Sequence, residues 1–155
     1  MPTEPITAAA QALHEIGALI MVGSLFFLLF IVRPITRDAL EVGERQVFFV
    51  IIYRYLFRWQ WLALLFLWIS GGWNAHLVGI TTPSITVQIM AAGGAAATLL
   101  TLFAQTTCYF HLEEPVEDEN WARAGRISSH VRKIMALNLF VCLILLLAGA
   151  IGPHL

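Results

Sequence analysis

Long apolar stretches alternate with short polar segments along this chain, and the alternation occurs four times. The apolar stretches cover about residues 10–32, 57–77, 85–110 and 131–151. A helix needs roughly 20 mostly apolar residues to cross about 30 Å of hydrocarbon, and each stretch has that length. The pattern therefore predicts an all-α polytopic membrane protein, in which residues 1–155 form one membrane domain built as a bundle of four transmembrane helices.

Composition supports a membrane protein and leaves little room for other classes. Hydrophobic residues make up 59% of the chain, charged residues 12%, and the mean hydropathy is +0.77. A soluble domain has about a quarter charged residues. Four helices nearly exhaust the chain, and it has no nucleophile and base pair, phosphate loop or CxxC motif. We therefore expect no soluble catalytic domain and no nucleic-acid partner. The sequence favours a non-enzyme over an enzyme.

The positive charges predict the orientation. All nine Lys and Arg residues fall within residues 33–58 and 123–133. Because cytoplasmic loops carry an excess of Lys and Arg, this distribution predicts cytoplasmic loops at about 33–56 and 111–130, with both termini outside. Pro34 is expected to end the first helix, and the second can begin near Glu44, before it enters the membrane. Arg54 and Arg58 share a face, and we interpret them as interfacial anchors among aromatic residues in preference to an anionic-lipid site.

Each span contains one stripe of small or polar residues at helical spacing. Steps of three and four put the members of a stripe on one helical face. The stripes are His14, Gly17, Met21 and Ser24 in span one; Gln60, Ala63, Leu67, Ser70 and Asn74 in span two; Gly94, Thr98, Thr101, Gln105 and Cys108 in span three; and Met135, Asn138, Cys142 and Gly149 in span four.

These stripes allow two interpretations. Small residues let helices approach closely and polar ones hydrogen-bond between helices, so most of the stripe residues are expected to be packing positions. Alternatively, the stripes line a route for an ion or a proton, or a cofactor crevice. Met21, Met135, Cys108 and Cys142 would supply soft sulfur ligands suited to Cu(I). The two cysteines lie at different depths, so both are expected to be free thiols.

The histidines are distributed unevenly between the two sides. His14, His76 and His154 fall on the predicted outer side, together with Met90 at the start of span three. Imidazole is the commonest metal ligand and can bind haem iron. An ionisable residue within a span is a functional candidate, although His14 could also be solvated in the headgroup region.

Three runs carry a further pattern: LHEIGALIMVGSLFFLLFIVRP, RYLFRWQWLALLFLWISGGWNAHLVG and RKIMALNLFVCLILLLAGAIG. They place a His at the start of span one, Arg-Pro at its end, an aromatic Arg-Trp entry to span two with a terminal Ser-Gly, and Leu-Asn-Leu in span four. In order and spacing they resemble the short, four-helix members of the CopD copper-resistance family, over most of the chain. The resemblance implies a bacterial-type inner-membrane protein linked to copper uptake or tolerance.

Of the family-like positions, His14 is carried over by the resemblance. Similar proteins tend to have a His-rich start to span three, where this chain reads SITVQIMAAGG with Gln88 and Met90. The hypothesis is that an outer-face cluster captures copper and that the inner stripes pass it inward. Its candidate ligands are, in order, His14, Met90, His76 and Met21.

Two other functions stay open at the level of sequence. His14 and His76 lie at comparable depth on consecutive helices and could ligate a b-type haem in an electron-transfer subunit whose helices contact quinone. The five Trp and ten Phe residues also suit a non-catalytic accessory subunit of a larger membrane complex, or a homo-oligomer.

Overall fold

The computed structural model describes residues 4–78 and 85–151, and every regular element within those ranges is helical. The elements are α1 (Glu4–Phe27), a π-helical turn (Leu28–Val32), α2 (Arg33–Ala39), α3 (Val42–Val78), α4 (Ile85–His111), α5 (Glu113–Glu117) and α6 (Trp121–Ile151). His154 lies outside the described residues. The all-α fold expected from the sequence is therefore confirmed.

Within residues 4–78 and 85–151, four helical segments are long and apolar enough to cross a membrane: Glu4–Ala39, Val42–Leu77, Ile85–Glu117 and Trp121–Ala150. Each presents large apolar side chains on its outside; Leu19, Leu65, Leu99 and Phe140 are all more than half exposed. Soluble monomers rarely expose apolar surface on this scale, whereas lipid covers it. The chain is thus a multi-pass membrane protein with four transmembrane helices.

The helices pack as two close pairs. α1 packs mainly against α3, and α4 packs mainly against α6. The pairs join where α3 meets α4 and where α1 meets α6, and one diagonal, α3 to α6, also makes contact. The order around the bundle is therefore α1, α3, α4, α6, which brings the first and last transmembrane helices together.

The predicted stripes form the inward faces of these helices. Buried residues include Gly17 and Met21 on α1, and Thr101 and Cys108 on α4. The corresponding buried positions on the other two helices are Gln60, Ala63 and Ser70 on α3, and Met135, Asn138 and Cys142 on α6. The expectation that most stripe residues serve helix packing is borne out by these positions. Cys108 and Cys142 are free thiols, as predicted.

Gly17 is the point of closest approach between α1 and α3. A Cβ atom built at Gly17 would lie 3.0 Å from the carbonyl oxygen of Ala63 and 3.0 Å from Cγ of Leu67. Any side chain there would push the two backbones apart. Gly23 lies on the same helix but has no such neighbour within 4 Å.

The expectation that Pro34 ends the first helix is wrong. The chain continues as a π-helical turn over Leu28–Val32 and then as α2, in whose first turn Pro34 sits. A proline inside a continuous helix has no N–H to donate and crowds the carbonyl one turn back, so the helix is usually distorted just ahead of it. The backbone N–H of Arg33 bonds to the carbonyl of Leu28, so the wider turn satisfies the backbone just ahead of the proline.

The segments predicted as cytoplasmic loops are largely helical. α3 begins at Val42 and α6 at Trp121, so both helices extend well beyond their apolar stretches. The short helix α5 ties them together, because Arg54 on α3 pairs with Glu113 at 3.0 Å and Arg123 on α6 pairs with Glu114 at 3.3 Å. Arg54 is therefore an ion-pair partner, in addition to any interfacial role.

We predict that Gly17→Val destabilises the protein and that Gly23→Val does not. Overpacking a close contact costs about 1–3 kcal/mol, and the two substitutions carry the same intrinsic helix penalty, so the difference between them isolates the α1–α3 contact. Unfolding of purified protein in detergent micelles measures the difference. Equal losses of stability in both variants would contradict this account of the interface.

Candidate metal-binding site at the outer end

His14 is held against α3 near the end of the bundle where the chain begins. Its Nδ1 lies 2.9 Å from Oγ of Ser70, and its ring carbon Cε1 faces Gly71, where an added Cβ would stand 3.8 Å away. His14 is partly buried, while the neighbouring Glu15 is exposed. The side chain is thus positioned by one face of α3.

The hydrogen bonds assign the tautomer of His14. The Ser70 hydroxyl lies 2.6 Å from the carbonyl oxygen of Phe66, one turn back on its own helix, and donates its proton there. Its oxygen is then an acceptor, so Nδ1 of His14 carries the proton. In the neutral ring the lone pair is therefore on Nε2. A histidine whose second nitrogen donates to an orienting partner is the usual arrangement of a metal ligand.

The structure places His76 and Met90, two of the other candidate ligands from the sequence, on α3 and α4. His76 is exposed and lies six residues beyond Ser70, roughly 9 Å further along the axis of α3. Met90 packs on the other helix pair, where its Cε would lie 2.8 Å from a Cβ added at Gly149. His14 and His76 therefore lie at different positions along the bundle axis, and Met90 packs against α6.

Met21 follows His14 on the same face of α1, two turns deeper. Seven residues correspond to roughly 10 Å along the axis. Met21 is only 1% exposed and belongs to a buried cluster that also contains Cys142 of α6. A soft thioether and a soft thiol are thus packed in one cluster below His14.

A second Met and Cys occupy the other buried cluster. Cys108 of α4 and Met135 of α6 both belong to the larger core nearer the predicted cytoplasmic side. Pairing of one Met with one Cys in each cluster was not predicted, because the sequence shows spacing along each helix but not which helices face each other. Between the two levels, Asn138 Nδ2 donates to Thr101 Oγ1 at 2.9 Å, and Cys142 Sγ lies 3.8 Å from Asn138 Oδ1.

No family model, curated protein or solved structure matches this chain. The resemblance to the copper-resistance family therefore stays a prediction. Among the described residues, no group of three or more His, Cys, Asp and Glu side chains is placed to hold a metal ion.

Ser70 is the residue of this site that sequence reasoning missed as a partner. It was assigned to the small and polar stripe of span two, and its face was correct. What the stripe could not show is the register between α1 and α3, which decides that His14 meets Ser70 and not Asn74. Gly17, one turn from His14 on the same face, marks where α1 can approach another helix closely, but the sequence does not show which residues of α3 it meets.

We predict that the neutral imidazole of His14 is protonated at Nδ1, and that Ser70→Ala shifts the population towards the Nε2-protonated form. The reason is that the Ser70 oxygen is the acceptor that selects the Nδ1 proton. Nitrogen-15 NMR of histidine-labelled protein distinguishes the two tautomers, with the His14 signal identified by its loss in His14→Ala.

Ser24→Ala is the matched control for the tautomer experiment. The Ser24 hydroxyl donates to the carbonyl of Met21 on α1 and makes no described contact with His14. This variant should leave the His14 signal unchanged. An unchanged signal in Ser70→Ala would show that the serine does not select the tautomer.

Proposed function

We propose that this membrane protein handles copper as Cu(I), with Nε2 of His14 as the ligand at the outer end of the bundle. The observation that carries the proposal is the fixed orientation of His14 by Ser70, which leaves the Nε2 lone pair available. Copper is the transported or sequestered substrate in this proposal, and the family resemblance of the sequence is what suggests this metal over others.

The sulfur side chains below His14 support Cu(I) over a hard cation. Thioether and thiolate ligands select Cu(I), whereas Mg²⁺ and Ca²⁺ require oxygen ligands. Met21 and Cys142 share one buried cluster, and Cys108 and Met135 share the next. Together with His14 they form three successive levels of soft or borderline ligands through the bundle.

The helix arrangement suggests how these levels could be reached. Met21 belongs to the α1–α3 pair and Cys142 to the α4–α6 pair, so their cluster lies at the seam between the two pairs. Cys108 and Met135 both belong to the α4–α6 pair. Both clusters are closed and packed, so an ion can pass between levels only when side chains or helices move apart.

We expect purified protein loaded with Cu(I) under anaerobic conditions to bind the metal, and His14→Ala to bind it much more weakly. Ser70→Ala should retain binding with an affinity lower by about 10- to 100-fold, the usual effect of removing a partner that orients a ligating histidine. Metal analysis after removal of free copper, and competition with a Cu(I) chelator, measure both effects.

His130→Ala serves as the control for the copper experiment. His130 is exposed on α6, and its Nδ1 bonds to the backbone of its own helix at Arg126. This variant should bind copper as the parent protein does. Absence of stoichiometric copper from parent and variants alike would overturn the proposal. A Soret band in the absorption spectrum of the same preparation would indicate haem and favour the electron-transfer function instead.

A further inference from the structure

The predicted cytoplasmic end of the bundle contains a cleft with an unusual concentration of positive charge. It has a volume of about 470 Å³ and lies between the end of the first transmembrane segment, the start of α3 and the first turns of α6. Four arginines line it: Arg33, Arg37, Arg45 and Arg132. The described residues that line the cleft include no Asp or Glu. A cleft lined by one sign of charge with apolar walls concentrates ions of the opposite sign.

Arg33 is the fixed element of this cleft. Its Nη2 donates to the Tyr53 hydroxyl at 3.0 Å, to the Ser128 carbonyl at 3.1 Å and to Ser128 Oγ at 3.2 Å. Its guanidinium carbon also lies 4.8 Å from the ring centroid of Phe49. These neighbours hold the guanidinium in place without neutralising it, since all of them are uncharged.

Positive charge and hydrogen-bonding capacity remain unused in the cleft. Nε of Arg33 is buried without a hydrogen-bond partner, and so is Oε1 of Gln46, a side chain that is only 5% exposed. Within the described part of the chain, Arg33, Arg45 and Arg132 form no ion pair with an acid, and Arg37 pairs only with the adjacent Asp38. Buried polar groups ordinarily have partners, so the unpaired ones suggest a ligand.

The apolar part of the cleft indicates what kind of anion fits. Leu29 and Phe30 belong to the π-helical turn at the membrane end of the cleft, and Phe30 is exposed on the outside of the bundle. A ligand in this position would meet arginines and serine hydroxyls at one end and lipid-facing hydrocarbon at the other. A phosphate joined to acyl chains has this division, whereas a free phosphate uses only the polar end.

We propose that this arginine cleft binds the phosphate group of an anionic phospholipid. The guanidinium groups supply charge-assisted hydrogen bonds to the phosphate oxygens, and Ser129, which accepts from Arg132 at 3.3 Å, retains its hydroxyl proton for donation. The acyl chain lies against Leu29 and Phe30. The cleft is separate from the outer site at His14, and its function does not depend on copper.

The test compares two double variants of equal charge. Arg45→Gln with Arg132→Gln removes two cleft arginines and leaves the Arg33 hydrogen bonds intact. Arg58→Gln with Arg126→Gln removes two exposed arginines outside the cleft; Arg58 instead lies over the Tyr55 ring at 5.5 Å. Native mass spectrometry in detergent measures the retention of added phosphatidylglycerol, with phosphatidylcholine and inorganic phosphate as separate probes.

We expect the parent protein to retain phosphatidylglycerol in preference to phosphatidylcholine, and the cleft variant to lose roughly 30-fold in affinity, given the usual contribution of each interfacial arginine to anionic-lipid binding. The control variant should bind as the parent does. Equal loss in both double variants would show only general charge attraction and would overturn the proposal. Displacement of phosphatidylglycerol by inorganic phosphate at similar concentration would overturn the assignment to a lipid.

Discussion

The close approach of α1 to α3 at Gly17 fixes the register on which both ends of the molecule depend. The two helices are antiparallel, so a step of one turn outward on α1 is matched by one turn forward on α3. From the contact of Gly17 with the Leu67 side chain, a step of three residues on each helix brings His14 to Ser70. A step of one turn inward brings Met21 into the same buried cluster as Ala63. A bulkier residue at Gly17 would disturb all of these pairings at once, because they share one rigid interface.

The same register reaches the inner end of the bundle through the π-helical turn. If the register between α1 and α3 continued unbroken, Arg33 would lie beside the α3 position midway between Phe49 and Tyr53. Arg33 contacts both of these residues. A π-helical turn shifts the residues after it by one position, or about 100° around the axis. The turn over Leu28–Val32 thus accommodates Pro34 while directing Arg33 inward to α3 and α6. Without it, this arginine would be directed elsewhere around the helix.

Sequence periodicity predicted the helices and their faces, because burial requires a repeat of 3.6 residues that can be read along one chain. It could not predict contacts between helices, since these depend on register and on which helices are neighbours. Tyr53 illustrates the limit: its position next to Arg54 suggests an interfacial aromatic residue, yet it is fully buried and bonds to Arg33. Pro34 illustrates a second limit, because a proline predicts a helix end and the sequence does not reveal the π-helical turn ahead of it. Ser70, the partner of His14, could not be predicted because it depends on the register between α1 and α3.

The packed core and the proposed passage of an ion can be reconciled through the seam between the two helix pairs. Met21 of α1 and Cys142 of α6 belong to one cluster at that seam. The hydrogen bond from Asn138 to Thr101 lies within the α4–α6 pair. Separating the pairs would leave that hydrogen bond intact, but it would break those of Trp61 with Gln105 and of Trp68 with Thr98, which join α3 to α4. At the inner end, Arg33 crosses the same seam to bond with Ser128. Under the copper proposal, these bonds would hold the seam closed at the end where Arg33 lies, and Met21 and Cys142 would be reached from the end where His14 lies.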